Sequence, residues 1–117
     1  MTVLLTISML INLAVLGLVV PAIWRNTPAM VLAYGPPTPA RDIVLAFYVA
    51  IFTVSVVVLG AVASGQDWAG AAALTVLPVQ IAYKALSAFT VGPRNPVVQA
   101  NLVIAAFHAI TLASLIY

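Results

Sequence analysis

The chain contains no cysteine and very little charge, and each of these absences removes a class of function. Without cysteine it can form no disulfide, no thiol nucleophile and no thiolate metal site. Charged residues make up 5% of its 117 residues, against about 25% in an average soluble domain. Four basic and two acidic side chains could not cover the surface of a soluble protein of this length. A net charge of +2 is also too small to indicate nucleic-acid binding.

The scarcity of carboxylates argues against proton-coupled transport and against hydrolysis. Asp42 and Asp67 are the two acidic residues, and both lie outside the long apolar segments; the first of those segments offers Asn12 and no carboxylate. One histidine, no paired carboxylates and no cysteine leave no nucleophile–base set, and there is no phosphate-binding glycine loop. The sequence therefore predicts a protein that is not an enzyme and that uses no metal or cofactor.

Hydrophobic residues form 65% of the chain and fall into four long runs. A helix needs about 20 mainly apolar residues to cross a hydrocarbon core about 30 Å thick. Four segments meet this requirement: Thr2 to Trp24, Ile43 to Ala63, Gly70 to Val91 and Val97 to Tyr117. The first lacks the charged leading segment of a signal peptide and is interpreted as a retained helix. The sequence thus predicts an all-α membrane protein, residues 1–117 forming one domain of four antiparallel transmembrane helices.

Residues typical of helix starts support these limits. Asp42 and Asp67 stand before the second and third segments, and Asn95-Pro96 fits an N-cap followed by proline at the first helical position. The longest connection contains the apolar run Ala29 to Tyr34, between prolines. This run fits either a short helix lying in the membrane interface or an irregular loop.

The basic residues predict the orientation in the membrane. Arg25, Arg41 and Arg94 occupy the first and third connections, which share one side of a four-span bundle. Lys84 lies near the end of the third segment and is expected to extend its ammonium towards that side. Under the positive-inside rule this side is cytoplasmic and both termini lie outside, in what we expect to be a bacterial inner membrane.

Each predicted span carries one hydrogen-bonding side chain near its middle: Asn12, Thr53, Gln80 and His108. Lys84 and Asn101 form a second, shallower level. Ser8 and Asn12 are four residues apart, as are Gln80 and Lys84, so each pair is predicted to share a helix face.

These polar groups allow two interpretations. In one, they form interhelical hydrogen bonds that fix the register of the helices. In the other, they surround an intramembrane ligand pocket, with candidate ligand-binding residues Asn12, Gln80, Lys84, Asn101 and His108. His108 alone could also ligate haem or a chlorophyll-type pigment, although a bis-histidine haem is excluded within one copy.

Small and aromatic residues are also placed in patterns typical of membrane helices. Small residues recur every four positions at Ala105, Ala109 and Ala113, and at Gly60 and Ser64, which favours close packing within the bundle or against a partner. Aromatic residues near the predicted interfaces are expected to form a belt, comprising Trp24, Tyr34, Trp68 and Tyr117.

Two short segments and the order of elements resemble the DoxX-like group of small four-helix membrane proteins. The segments are the pair Tyr83-Lys84 in the third helix and Asn95-Pro96-Val97-Val98 at the start of the fourth. The resemblance covers the chain in topology and implies the four-helix fold. Functions in that group are diverse and include association with oxidoreductase partners, and no active-site residue is carried over from it.

Two functions remain open from the sequence. The preferred one is a small accessory or structural subunit that packs within the bilayer against a larger membrane complex, respiratory or photosynthetic, or against copies of itself. The alternative is a binder or carrier of a small apolar ligand such as a quinone, lipid or pigment. In that alternative, Gln80 and His108 donate to the ligand's head and Lys84 meets any anionic group.

Overall fold

Four long helices and one short helix make up the protein in a computed structural model that describes residues 2–117. In chain order they are α1 (Thr2–Trp24), α2 (Pro28–Tyr34), α3 (Pro39–Ala63), α4 (Ala69–Thr90) and α5 (Pro96–Ile116). The four long helices are each apolar and long enough to cross a membrane, which confirms the predicted spans. The protein is therefore an all-α, multi-pass membrane protein.

The local sequence explains where α4 ends and where α5 begins, although the predicted N-cap of α4 is wrong. Asn95 Oδ1 accepts from the Val97 N–H at 2.9 Å, so α5 begins with the predicted N-cap. Gly92, with φ of +105°, follows the end of α4 in a conformation that glycine adopts easily. Within residues 2–117, no side chain caps the N-terminus of α4; Trp68 occupies the cap position, one residue after the predicted Asp67.

Helix α3 begins four residues before the predicted Ile43. Thr38 Oγ1 accepts from the Arg41 N–H at 3.2 Å, and Pro39 occupies the first helical position, where its missing N–H costs nothing. Asp42 therefore lies in the first turn of α3 instead of preceding the helix. Its carboxylate still lies at the positive end of the helix dipole.

The long helices form a ring in which α1 packs mainly against α3 and α4 mainly against α5, and α1–α5 and α3–α4 contacts close it. Two apolar clusters lie inside. One comprises Leu5, Met9, Val58, Ala73 and Leu77, and the other comprises Leu16, Ile23, Tyr48 and Ile51. Early residues of α1 pack with late residues of α3 and the reverse, so these helices are antiparallel.

The short helix α2 lies across the end of the bundle where α1 and α4 end, and its presence decides between the helix and the loop predicted there. The Tyr34 hydroxyl lies 3.0 Å from the Tyr48 hydroxyl of α3. Asn95 Nδ2, just before α5, donates to the Ala33 carbonyl of α2 at 2.9 Å. Leu32 points away from the bundle with 84% of its surface exposed. The first and third connections therefore meet at one end of the protein, as a four-span topology requires.

Candidate functional site

His108 is fully buried in the middle of the bundle, and both of its ring nitrogens are hydrogen bonded to α1. Nδ1 lies 3.1 Å from Ser8 Oγ, and Nε2 lies 3.0 Å from Asn12 Oδ1. Ser8 and Asn12 share one face of α1, as their spacing predicts. The imidazole thus fixes the height of α5 relative to α1.

Further hydrogen bonds extend this contact to a third helix. Asn12 Nδ2 donates to Ser55 Oγ of α3 at 3.0 Å, and Ser8 Oγ lies 2.7 Å from Thr111 Oγ1 of α5. All of these side chains are at most 3% exposed. We refer to them as the buried polar network, which comprises Ser8, Asn12, Ser55, His108 and Thr111.

The geometry of this network assigns the proton on the imidazole. The Asn12 oxygen can only accept, so Nε2 of His108 carries a hydrogen and donates it. In the neutral ring Nδ1 then accepts from the Ser8 hydroxyl, which in turn accepts from Thr111. A neutral imidazole thus satisfies every partner. Ligation of haem or pigment by His108 would require one of these buried hydrogen bonds to break.

Ser55, rather than the predicted Thr53, supplies the polar group of α3 in the middle of the bundle. Thr53 is exposed, and its hydroxyl donates back to the Val49 carbonyl of its own helix at 2.9 Å. Two residues along a helix are separated by about 200° of rotation, so Ser55 points inward where Thr53 points to lipid. The depth predicted for the polar group was right, and the side of the helix was wrong.

Lys84 is buried within the bundle, which contradicts its predicted extension towards the membrane surface. Its side chain is 4% exposed, and Nζ donates to Gln80 Oε1 at 3.1 Å. The ammonium thus points back along α4, away from the nearer helix end. Gln80 is fully buried, and its Nε2 has no hydrogen-bond partner among the described residues.

A partly open cavity of about 300 Å³ lies beside Lys84, between α1, α2, α4 and α5. Its polar lining comes from Asn12, Tyr34, Tyr48, Tyr83, Lys84 and Asn101. Apolar side chains of α1 and α5, such as Val15, Val19 and Ile104, form much of the remaining wall. We call this space the first cavity. A volume of this size is at the lower end of the range for ligand pockets, about 300–1,000 Å³.

A second cavity of about 260 Å³ adjoins the first on the side of α3. The two share a common wall that includes Tyr34, Tyr48, Tyr83 and Asn101 as well as Ala33 and Val97. The tyrosine rings contact one another: the centroids of Tyr34 and Tyr48 are 5.9 Å apart, in an edge-to-face arrangement, and those of Tyr48 and Tyr83 are 6.5 Å apart. Both cavities therefore lie beneath α2, at the same end of the bundle.

Tyr34, one of the residues predicted to form an aromatic belt near the interfaces, faces into the bundle. Its ring is half-buried and lines both cavities. Burial, reinforced by the neighbouring Tyr48, raises the pKa of Tyr34 above its ordinary value, so its hydroxyl remains protonated and able to donate. Trp24, Trp68 and Tyr117 are exposed, as the belt requires.

The five predicted site residues fall into three positions. Asn12, Lys84 and Asn101 line the first cavity, whereas Gln80 lies behind Lys84 and His108 belongs to the buried polar network. The tyrosines of the cavity wall were not predicted as a group. One signal pointed to them, the adjacency of Tyr83 to Lys84. No sequence pattern joins Tyr83 to Tyr48 or Tyr34, which lie 35 and 49 positions earlier in the chain.

Arg41 fixes the connection between α2 and α3. The sequence predicted it to be a charged residue of that connection, but its side chain is buried. Its Nη1 donates to the Gly35 carbonyl at 3.1 Å, and its Nη2 donates to Asn26 Oδ1. Asn26 adopts a positive φ of 53°, which asparagine tolerates better than most residues. One guanidinium thereby ties the end of α1, the end of α2 and the start of α3 together.

Comparison with known proteins does not assign this site. No family model matches the chain, and no curated protein or solved structure is significantly similar to it. Among residues 2–117, no group of three or more histidine, cysteine or carboxylate side chains could hold a metal ion. The chemistry of the first cavity is therefore inferred from its own residues.

Proposed function

We propose that the protein binds or carries a small, largely apolar molecule in the first cavity. One observation carries the proposal: a space of about 300 Å³ lies within the spanning part of the bundle, with an apolar lining and a few polar groups at one side. This is the composition expected of a pocket that orients a ligand by its polar end. No catalysis is assigned to the chain in this proposal.

The polar contacts favour some ligand classes over others. His108, a candidate donor in the sequence interpretation, already has a partner at each ring nitrogen, so a pigment held through this imidazole is disfavoured. Lys84, Asn101 and the tyrosines are the polar residues of the cavity lining left to meet the head of a quinone or lipid. Helix α2 covers the same end of the bundle and lines the cavity, so we propose that the ligand enters beside it.

A matched pair of substitutions on α5 tests this proposal. Ala100 lines the first cavity, whereas Ala106 is exposed and lines none of the cavities described. Native mass spectrometry of the protein in a mild non-ionic detergent should detect a co-purified small molecule. Ala100→Phe fills the cavity and should abolish that signal, whereas Ala106→Phe should retain it. A protein that is empty, or that keeps its ligand in Ala100→Phe, contradicts the proposal.

A second function, the accessory subunit, is supported by where small residues point. Ala109 and Ala113 of α5 are exposed, as are Gly60 and Ser64 of α3, so parts of both stripes face outward instead of packing in the bundle. Such faces allow close approach of another helix in lipid. The proposed partner is a larger respiratory or photosynthetic complex, consistent with the oxidoreductase partners found in the DoxX-like group that the chain resembles, or another copy of the chain.

Co-purification tests the accessory function. Affinity purification in mild detergent should recover a stoichiometric partner from wild type but not from the double variant Ala109→Leu/Ala113→Leu. Ala82→Leu, on an exposed position of α4, is the matched control and should keep the partner. Recovery of an isolated monomer that retains its own ligand would favour the cavity function alone.

We also propose a bacterial inner membrane, with both termini outside the cytoplasm. Arg25 and Arg94 are exposed at the end of the bundle covered by α2, which the positive-inside rule places in the cytoplasm. Because the chain has no cysteine, single substitutions report sidedness directly. A membrane-impermeant maleimide should label Gln66→Cys in intact cells and Ala40→Cys only after lysis; the reverse pattern would invert the orientation.

A further inference from the structure

Lys84 is a buried cation that lacks a countercharge within the protein. An ammonium has three hydrogens to donate, yet among the described residues the Nζ of Lys84 donates to one acceptor, Gln80 Oε1. The face of the Tyr83 ring also lies near it, with Nζ 5.4 Å from the ring centroid. A neutral amide and an aromatic face together do not neutralise the charge, and a buried unpaired charge is costly.

No carboxylate of this chain can serve as that countercharge. Asp42 and Asp67 are the two acidic residues, and both are exposed at the ends of helices. They also lie at opposite ends of the bundle, since one opens α3 and the other precedes α4. The negative group that Lys84 requires must therefore come from outside the chain.

The first cavity provides the space for such a group directly beside the ammonium. Lys84 lines it together with other residues whose side chains can donate to an anion, among them Asn101 and the Tyr34–Tyr48 pair, whose hydroxyls lie 3.0 Å apart. From this polar side the wall continues along Val15, Val19 and Ile104, which offer only apolar contacts. The cavity thus combines one site for a charged head with a surface for a hydrocarbon tail.

We infer that the occupant of the first cavity is an anionic amphiphile, whose carboxylate or phosphate head pairs with Lys84 and whose tail lies against α1 and α5. This inference rests on the proposed ligand-binding function and specifies the class of ligand. A neutral head, such as a quinone carbonyl, can accept a hydrogen bond but leaves the lysine charge unpaired. An acidic head accepts from the ammonium in a charge-assisted hydrogen bond, which is roughly twice as strong as a neutral one.

Three probes with the same tail test the inference: dodecanoate, dodecyl phosphate and dodecanol. The purified protein, in nanodiscs of zwitterionic lipid near neutral pH, is titrated with each probe, and binding is followed by native mass spectrometry. At least one anionic probe should bind about tenfold more tightly than the alcohol, the change expected from about 1.4 kcal/mol of added interaction. Preference for the carboxylate points to a fatty acid, and preference for the phosphate points to a phospholipid or related phosphate.

Substitutions at Lys84 locate the effect. Lys84→Met should remove the preference for anions while keeping dodecanol binding, and Lys84→Arg should retain the preference because the positive charge remains. If Lys84→Met does not fold, the comparison of probes in wild type still decides. Equal affinity of wild type for all three probes overturns the anionic head and leaves the proposed function standing. Failure of every probe to bind counts against the proposed function itself.

Discussion

Asn12 and His108 are joined by a hydrogen bond of 3.0 Å between Oδ1 and Nε2, in the layer that separates the two apolar clusters. The same amide donates to Ser55, so Asn12 is the residue through which α1 contacts both α3 and α5 by polar side chains. Sliding α1 by one helical turn would move the amide about 5.4 Å and leave all of these groups unpaired. We conclude that the network fixes helix register.

Removing the imidazole should therefore destabilise the bundle. His108→Phe keeps a buried ring but leaves the Ser8 hydroxyl and the Asn12 carbonyl oxygen without their partner, which we expect to cost about 1–3 kcal/mol of unfolding free energy. Thermal unfolding in detergent, followed by circular dichroism, measures the loss. If the imidazole serves only a ligand, the variant should unfold with the stability of wild type.

Two hydroxyls on α3 make a closely matched comparison. Ser55→Ala deletes the acceptor of the Asn12 amide and should cost about 0.5–1.5 kcal/mol. Thr53→Ala removes a hydroxyl that bonds only to its own helix and faces lipid, so its effect should stay within about 0.5 kcal/mol. Equal losses in the two variants would show that Ser55 does not face Asn12 and that α3 has a different rotation.

The sequence was sufficient to predict the four spans, because only long apolar helices satisfy their backbone groups in lipid. Rotation of each helix was harder to predict. In water the buried face of a helix is the apolar one, but here both faces are apolar, and no periodicity distinguishes Ser55 from Thr53. The early start of α3 was missed for a different reason. Its start signal, Thr38-Pro39, lies within a proline-rich connection and was therefore interpreted as part of the loop.

The candidate site was predicted in part. Asn12, Lys84 and Asn101 were identified as candidates because polar groups in apolar spans are conspicuous. The direction of Lys84 was wrong because helical side chains lean towards the N-terminus of their helix, which brings Nζ to Gln80. The tyrosine wall depends on contacts between α2, α3 and α4, and such tertiary contacts leave no mark in the spacing of residues.

Loss of the Arg41 guanidinium should release α2. Arg41→Ala deletes the donors to Gly35 and Asn26, and Arg41→Lys cannot reach both acceptors with a single ammonium. We expect faster hydrogen exchange of the α2 amides in both variants, measured by mass spectrometry of the protein in nanodiscs. Arg94→Gln, at an exposed arginine of the same end, is the control and should exchange as wild type does. Unchanged exchange in the Arg41 variants would contradict its role as a clamp.

The raised pKa of Tyr34 predicts a pH dependence at alkaline pH. Burial favours the protonated phenol, so Tyr34 binds its proton more tightly in the folded protein than in the unfolded chain. The contribution of Tyr34 is therefore complete below the ordinary tyrosine pKa of about 10 and declines as the pH rises above it. As the pH rises above about 10, unfolding free energy should fall more steeply in wild type than in Tyr34→Phe. Parallel curves would place Tyr34 in contact with water.

A carboxylate built into α4 should replace the ligand as the countercharge of Lys84. Gln80→Glu places an acid four residues before the lysine, the favoured order for an ion pair on a helix, and Gln80 Oε1 already lies 3.1 Å from Nζ. We expect the variant to fold at least as stably as Gln80→Met, which leaves the lysine without its amide partner. In the probe titration it should lose the roughly tenfold preference for anions, since the charge is already paired. If Gln80→Glu instead binds dodecanoate as tightly as wild type, the anionic head does not pair with Lys84.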